Sequence, residues 1–388
     1  MMPDARLDEA KAIPIEEVAE RLGLLDGLRR AGHEWVGPCP ACGGTDRFGI
    51  NPHKNVYNCR HCGGVDNGCD GLGLVRLVLG VDFPTALSWL VGERAAEIDP
   101  AEARRRAEQR AREQERRDAV AERMRQESIR AGAAIWDQGL PAAGTAVSGY
   151  LSLRGLPSAI SDKPPSSLRF HPALPYLQPN AGGQGWVTLH TGPAMLAACR
   201  APNGQLTAVH RTWIDLDRPK GKAVICDASG QPVVDAKGRR LAVKKLLGSK
   251  RRAAIRFYNV PRFDTLVMGE GIETTLTALA ARAFDGAAYW AGIDLGHMAG
   301  KRDLRGAGMK YAGIPDYSDL DGFVPPPWTK RLVFIQDGDS DPKATRAKLL
   351  SGLRRAKHHI PELRTSIVHA GEGMDLNDVL MGKSEDDQ

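Results

Sequence analysis

Two short apolar runs in the last third of the chain end abruptly in acid. Leu266 to Gly269 delivers Glu270, and Leu332 to Gln336 delivers Asp337 and Asp339. Carboxylate oxygens are hard ligands, and a group of them suits Mg2+ or Mn2+. Two such ions can clamp the attacking and leaving oxygens of an in-line displacement at phosphorus. Asp337 and Asp339 are therefore read as ligands of a catalytic divalent cation. Crowding of these acids should raise some carboxyl pKa values when metal is absent. Asp341 is either a third ligand or, standing before Pro342, the cap of the next helix. Gly269, Gly271 and Gly338 would let backbone approach a phosphate closely.

A second constellation lies near the N-terminus. Cys39-Pro-Ala-Cys42 and Cys59-Arg-His-Cys62 stand sixteen residues apart, a spacing at which two knuckles close four thiolates around a structural zinc. Cys69 is not needed for that shell. The residues between the knuckles read as a hairpin. Arg47, Phe48, Lys54, Tyr57 and Arg60 there interleave cations with aromatics, which suits phosphate contact and base stacking along single-stranded DNA. The competing reading makes Phe48 and Tyr57 the ribbon's own small core.

The elements that must position these groups follow from periodicity. Helical stretches come after both acid-tipped runs, at Glu273–Phe284 and Pro342–His359. Strands alternating with helices imply a parallel sheet, whose functional edge is the carboxyl end of its strands. Upstream, Pro14–Leu24 reads as a short amphipathic helix. Residues 99–131 hold ten arginines, eight acids and no glycine, with Glu113/Arg117 among the pairs at i,i+4 spacing. That is the pattern of a solvated helical linker, with a DNA-binding helix as the alternative.

From Trp136 to Tyr258 short β-type runs are split by Pro and Gly: Leu168–His171, Ala194–Arg200, Leu206–Asp215 and Leu241–Leu246. His210 in the third of them is expected to be packed and hydrogen-bonded. Lys244 and Lys245, then Lys250, Arg251 and Arg252, either meet nucleic-acid or nucleotide phosphates or form a solvated face. Gly292–Thr329 is long for a connection, and its Asp316, Asp319 and Asp321 are assigned to an exposed loop.

The chain is thus expected to be multidomain α/β. A zinc-ribbon DNA-binding domain occupies 1–98, a charged helical linker 99–131, an α+β middle domain 132–260, and an α/β catalytic domain with a parallel central sheet 261–388. Composition agrees with a cytoplasmic protein: 388 residues, 42% hydrophobic, net charge +6, with no apolar run of membrane-spanning length and no signal-peptide core. Paired cysteines in that compartment favour metal over disulfide.

Specific resemblances carry the reading further. Trp35-Val-Gly-Pro-Cys-Pro-Ala-Cys, Arg47-Phe-Gly-Ile-Asn-Pro and Val56-Tyr-Asn-Cys-Arg-His-Cys-Gly-Gly resemble the zinc-binding domain of bacterial and phage DNA primases. The region from Trp136 to Tyr258 resembles the linker domain before the catalytic core of phage- and plasmid-type primases, through its Tyr150-Leu151, Arg154-Gly-Leu156 and Leu168-Arg-Phe-His-Pro-Ala-Leu174 pieces. The last third resembles a Toprim domain, through Gly-Glu-Gly-Ile-Glu-Thr at Glu270 and the Asp337-Gly-Asp339 pair. The resemblance implies that Glu270 shares a metal or acts as general base. It adds Glu273 to the first motif, as an orienting or metal-contacting group, and Asp375 and Asp378 as the closing motif.

The implied activity is synthesis of RNA primers on a single-stranded DNA template from ribonucleoside triphosphates, with structural Zn2+ and catalytic Mg2+ or Mn2+. No G-x-x-x-x-G-K-[ST] motif occurs, so a replicative helicase would be a separate partner. Two other classes share parts of this pattern. A RecR-like recombination mediator also pairs a four-cysteine zinc site with Toprim, and a Toprim-type nuclease shares the metal site.

Overall fold

The computed structural model describes residues 5–61, 70–92, 100–180, 185–227, 229–235, 238–258, 262–282, 284–304, 309–336 and 341–369. The chain divides into two compact units. One comprises Met1–Arg123 with Leu177–Val187 and Val234–Arg239, the other Met124–Tyr176, Thr188–Val233 and Arg240–Gln388.

In the first unit, helices α1 (Ala5–Ala12) and α2 (Ile15–Arg21) precede strands β1 (Arg29–Ala31), β2 (Glu34–Cys39), β3 (Gly43–Asn51) and β4 (Val56–Cys59), and helices α3 (Gly71–Leu79) and α4 (Phe83–Val91) follow. The strands form one antiparallel sheet in sequence order. Pro14 offers no side-chain cap to α2, and Asn55 in the β3–β4 turn supplies one: its Oδ1 accepts from Ile15 N at 2.7 Å. Asp70 and Asp82 cap α3 and α4 in the ordinary way. Ile15, Val18, Leu72, Val75 and Leu87 close a core with Phe48, Ile50 and Tyr57 of the sheet. Among the described residues no single helix is long and apolar enough to cross a membrane, and the apolar pair α3–α4 is bent by 113°.

The charged run is helical as expected: α5 extends over Pro100–Asp137. Its Glu113 and Arg117 pair at 3.4 Å, while Trp136 in its last turn is buried.

The second unit is built on one sheet. Its strands are β5 (Leu140–Pro141), β6 (Leu168–Pro179), β7 (Trp186–Arg200), β8 (Leu206–Trp213), β9 (Lys244–Gly248), β10 (Ala254–Phe257), β11 (Thr265–Gly269), β12 (Ala288–Ala291), β13 (Arg331–Gln336) and β14 (Arg364–His369). They run in the order β14-β13-β11-β12-β10-β7-β6-β5, with β8 pairing to β7 and β9. β14, β13, β11 and β12 are parallel; β10 joins β12 antiparallel and carries the sheet on into the antiparallel half.

Helices α6 (Ala146–Leu153), α7 (Ser158–Ser161), α8 (Ile272–Ala281), α9 (Leu295–Ala299) and α10 (Pro342–His359) complete the unit. The inner parallel strands β11 and β13 read as nearly unbroken apolar runs because both faces are covered. Leu266, Met268, Leu332 and Phe334 pack against Leu349 and Leu353 of α10, while Val267, Val333 and Ile335 face Ala278 of α8.

Candidate active site and metal centre

β11 and β13 pair in parallel, with Thr265 opposite Arg331 and Met268 opposite Phe334, so their carboxyl ends reach the same edge of the sheet. Glu270 leaves the end of β11 half-buried. The turn there is tight: a Cβ on Gly269 would lie 2.7 Å from Thr275 Oγ1. Gly271 then opens α8, whose first turn brings a partial positive charge to that edge. β13 ends at the buried amide of Gln336, and Asp337 and Asp339 follow it in sequence. Asp337, Asp339, Asp375 and Asp378 lie outside the described residues. Asp341 caps α10, its Oδ1 accepting from Lys343 N at 3.0 Å and Ala344 N at 3.2 Å.

Glu273, in the first turn of α8, is a buried hub. Tyr150 of α6 donates its hydroxyl to Oε1. Lys244 Nζ of β9 lies 3.2 Å from the carboxylate, and Lys222 Nζ lies 3.7 Å from Oε1. Burial alone would raise this carboxyl's pKa, but Lys244 and Lys222, with the Tyr150 hydroxyl, hold it well below the usual range. Burial, then the Glu273 charge, pushes Tyr150 above the ordinary phenol value. Lys222 is pushed down to about 8 by burial, which the carboxylate only partly offsets. Three separate segments therefore converge on one anion. Sequence spacing gave no sign that Tyr150 or Lys222 would meet Glu273, because the first is 123 residues from it and the second lies in no motif.

The remaining basic candidates are engaged singly. Lys245 lies 3.7 Å over the ring of Tyr176. Lys250 pairs with Asp294 at 2.5 Å, Arg251 pairs with Asp321 at 3.0 Å, and Arg252 Nε donates to Leu320 O at 2.9 Å.

In the ribbon, the ligand sulfurs of Cys39, Cys42 and Cys59 all lie within 4.8 Å of one another, with Cys42 and Cys59 at 3.5 Å. A tetrahedral zinc thiolate shell with Zn–S near 2.3 Å needs sulfurs about 3.8 Å apart, so the three fit such a metal. Positive φ at Gly43 and Gly44 turns the first knuckle. Cys62 lies outside the described residues.

Arg47, Lys54 and Arg60 line one groove of about 260 Å3, together with Glu34, Asp46 and Asn58. Phe48 and Tyr57 require a correction: each is 1% exposed, and the two rings pack on one another at 5.7 Å. Alternation along β3 and β4 turns them into the core, so neither ring is open to a base.

A domain of unknown function (DUF7146) matches residues 126–257, which run from the last turns of α5 to the end of β10. No curated protein matches the chain. A DNA primase domain from Pseudomonas aeruginosa is similar at 16% identity and a TM-score of 0.33, over 67% of this chain and 76% of that one. The primase fragment of the bacteriophage T7 primase-helicase protein is similar at 15% identity and a TM-score of 0.25, over 51% of this chain and 62% of that one.

His210 on β8 is packed as expected but not fully hydrogen-bonded: its Nδ1 is buried without a partner. Burial pushes its pKa down to about 4. Unfolded, it titrates near 6.5. Unfolding therefore takes up a proton between those values, so stability is fully present above pH 6.5 and is lost as pH falls toward 4. The expected loss is on the order of 3 kcal/mol. His210→Leu should flatten that part of a stability–pH profile measured by denaturant unfolding; an unchanged slope would contradict the assignment.

For the metal centre, Cys39→Ser is expected to release zinc and lower the thermal midpoint of the first unit, since metal binding and folding are linked there. Metal content and a thermal melt test this together. Undiminished zinc in the variant would remove Cys39 from the shell.

Proposed function

We propose that this chain is a DNA primase of the phage or plasmid type, joining ribonucleotides on single-stranded DNA at a Toprim-like strand-end site. The observation that carries the reading is the common edge of two parallel neighbours: β11 leads into Glu270, and β13 leads in sequence into Asp337-Gly-Asp339. Asp337 and Asp339 would hold Mg2+ or Mn2+, which when bound neutralises phosphate charge and favours the ionised 3′-hydroxyl. Glu270 would accept that hydroxyl's proton or share the metal. The first turn of α8 adds positive potential where the triphosphate must sit.

The ribbon supports the same reading. Three clustered thiolates suit structural zinc, and the groove lined by Arg47, Lys54 and Arg60 would grip the template by its phosphates. With both ribbon rings in the core, the template grip here is electrostatic rather than stacked.

The test is incorporation of labelled ribonucleotides into short products on single-stranded DNA, with Mg2+ or Mn2+. Template-dependent oligoribonucleotides are expected. Metal-dependent cleavage without synthesis would instead identify a nuclease, and DNA binding with neither reaction would favour a recombination mediator.

A further inference from the structure

Residues 309–330, ahead of β13, form a strap in which Asp319 is buried and Asp316 half-buried, while Asp321 is exposed and pairs with Arg251 at 3.0 Å. Asp316 Oδ1 accepts from Ser318 N at 3.0 Å and from its hydroxyl at 2.6 Å. Asp319 accepts from Lys301 N at 2.6 Å and Asp321 N at 3.0 Å. Its carboxylate also lies 3.4 Å from Arg355 of α10.

Arg355 is 1% exposed, and its guanidinium donates to the carbonyls of Asp316, Asp319 and Lys301 at 3.2, 2.8 and 2.8 Å. Gly300 and Gly322 make room for it; a Cβ on either would come within 2.5 or 3.1 Å of its side chain. One residue earlier, Arg354 donates to Gly313 O at 2.8 Å. The strap is thereby held in one shape against α10.

Away from Asp321, the strap turns rings and cations outward. Tyr311, Tyr317 and Leu320 are 47%, 50% and 67% exposed. The ring of Tyr317 lies 4.4 Å from that of His358, and Lys310 lies 5.2 Å from the ring of Tyr311. Arg354 and His358 are four residues apart on α10, so the strap segments they touch sit about 6 Å apart along the helix. Lys301, just ahead of the strap, Lys310 within it and Lys357, the sequence neighbour of His358 on α10, are exposed.

We propose that this strap and the adjoining face of α10 bind single-stranded nucleic acid, at a site of their own in the second unit. Cations beside open rings match a polyanion with unstacked bases, since every base offers a π-face and every linkage a charge. A duplex hides its base faces, and an acidic peptide supplies charge without rings. The binding stands independently of whether the strand-end site performs nucleotidyl transfer.

The experiment uses the full-length chain, a fluorescein-labelled oligothymidylate, and a matching oligonucleotide carrying 5-bromodeoxyuridine for photocrosslinking with peptide mapping. Crosslinks are expected within residues 309–321. Tyr311→Ala with Tyr317→Ala should weaken binding by roughly tenfold or more. Lys310→Glu with Lys357→Glu should reduce the salt slope by about 2. All four side chains are exposed, so circular dichroism and zinc content should match the parent. Affinity unchanged in both variants, with crosslinks confined to the ribbon, would overturn the proposal. So would unchanged affinity with self-association lost in Leu320→Asp, which would make the surface a contact between copies.

Discussion

Glu273→Ala is expected to destabilise the second unit by about 1–3 kcal/mol, the cost of leaving two half-buried cations and the buried Tyr150 hydroxyl without their common partner. Lys244 and Lys222, with side chains 36% and 28% exposed, would then lack their shared anion, and the buried hydroxyl of Tyr150 would lose its acceptor. The neutral isostere Glu273→Gln should recover hydrogen bonding to Tyr150 but not the charge. Adding Lys244→Ala to Glu273→Ala should return part of the loss, and that coupling separates an ion-pair role from general packing. Because the folded carboxyl is held below the usual range, its contribution is present above the unfolded value near 4.5 and disappears as pH falls further. Denaturant unfolding at pH 7 is the measurement. A change under 1 kcal/mol, with no coupling between the two sites, would contradict this account.

The same hub shows what was legible in the sequence and what was not. Leu266–Gly269 and Leu332–Gln336 could be read as buried parallel strands because nearly every residue in them is apolar, and the structure extends each by one residue at its start. The bounds of α10 coincide with the sequence expectation because Asp341-Pro342 is a strong local start signal. Glu273 was marked by its motif, but its role depends on Tyr150, Lys222 and Lys244, which arrive from distant segments. No local pattern encodes that convergence.

The aromatic pair Phe48 and Tyr57 fails for a related reason. Interleaved rings and cations look alike whether the rings point in or out, and a one-residue shift in register decides it. Asp316 and Asp319 were assigned to an exposed loop, yet Asp319 is buried, and Arg355, which organises them, lies 39 and 36 residues further on. The expected boundary at residue 261 followed the Toprim resemblance of the last third, and across it the sheet continues, β10 to β12.

The largest functional effect is expected from Asp337→Ala with Asp339→Ala. If these carboxylates hold the divalent cation, removing both forfeits several kcal/mol of charge stabilisation in the transition state, or about a thousandfold in rate. Affinity for single-stranded DNA should stay within about twofold, because phosphate contacts from cationic side chains set it. Glu270→Gln separates the two roles open to that residue. A general base lost should steepen the dependence of rate on pH, whereas a ligand lost should raise the concentration of Mg2+ or Mn2+ needed for half-maximal synthesis. Primer synthesis measured against pH and against metal concentration distinguishes the cases. Undiminished synthesis in the double aspartate variant would remove the Asp-Gly-Asp pair from the reaction and leave the edge of β11 and β13 without its chemistry.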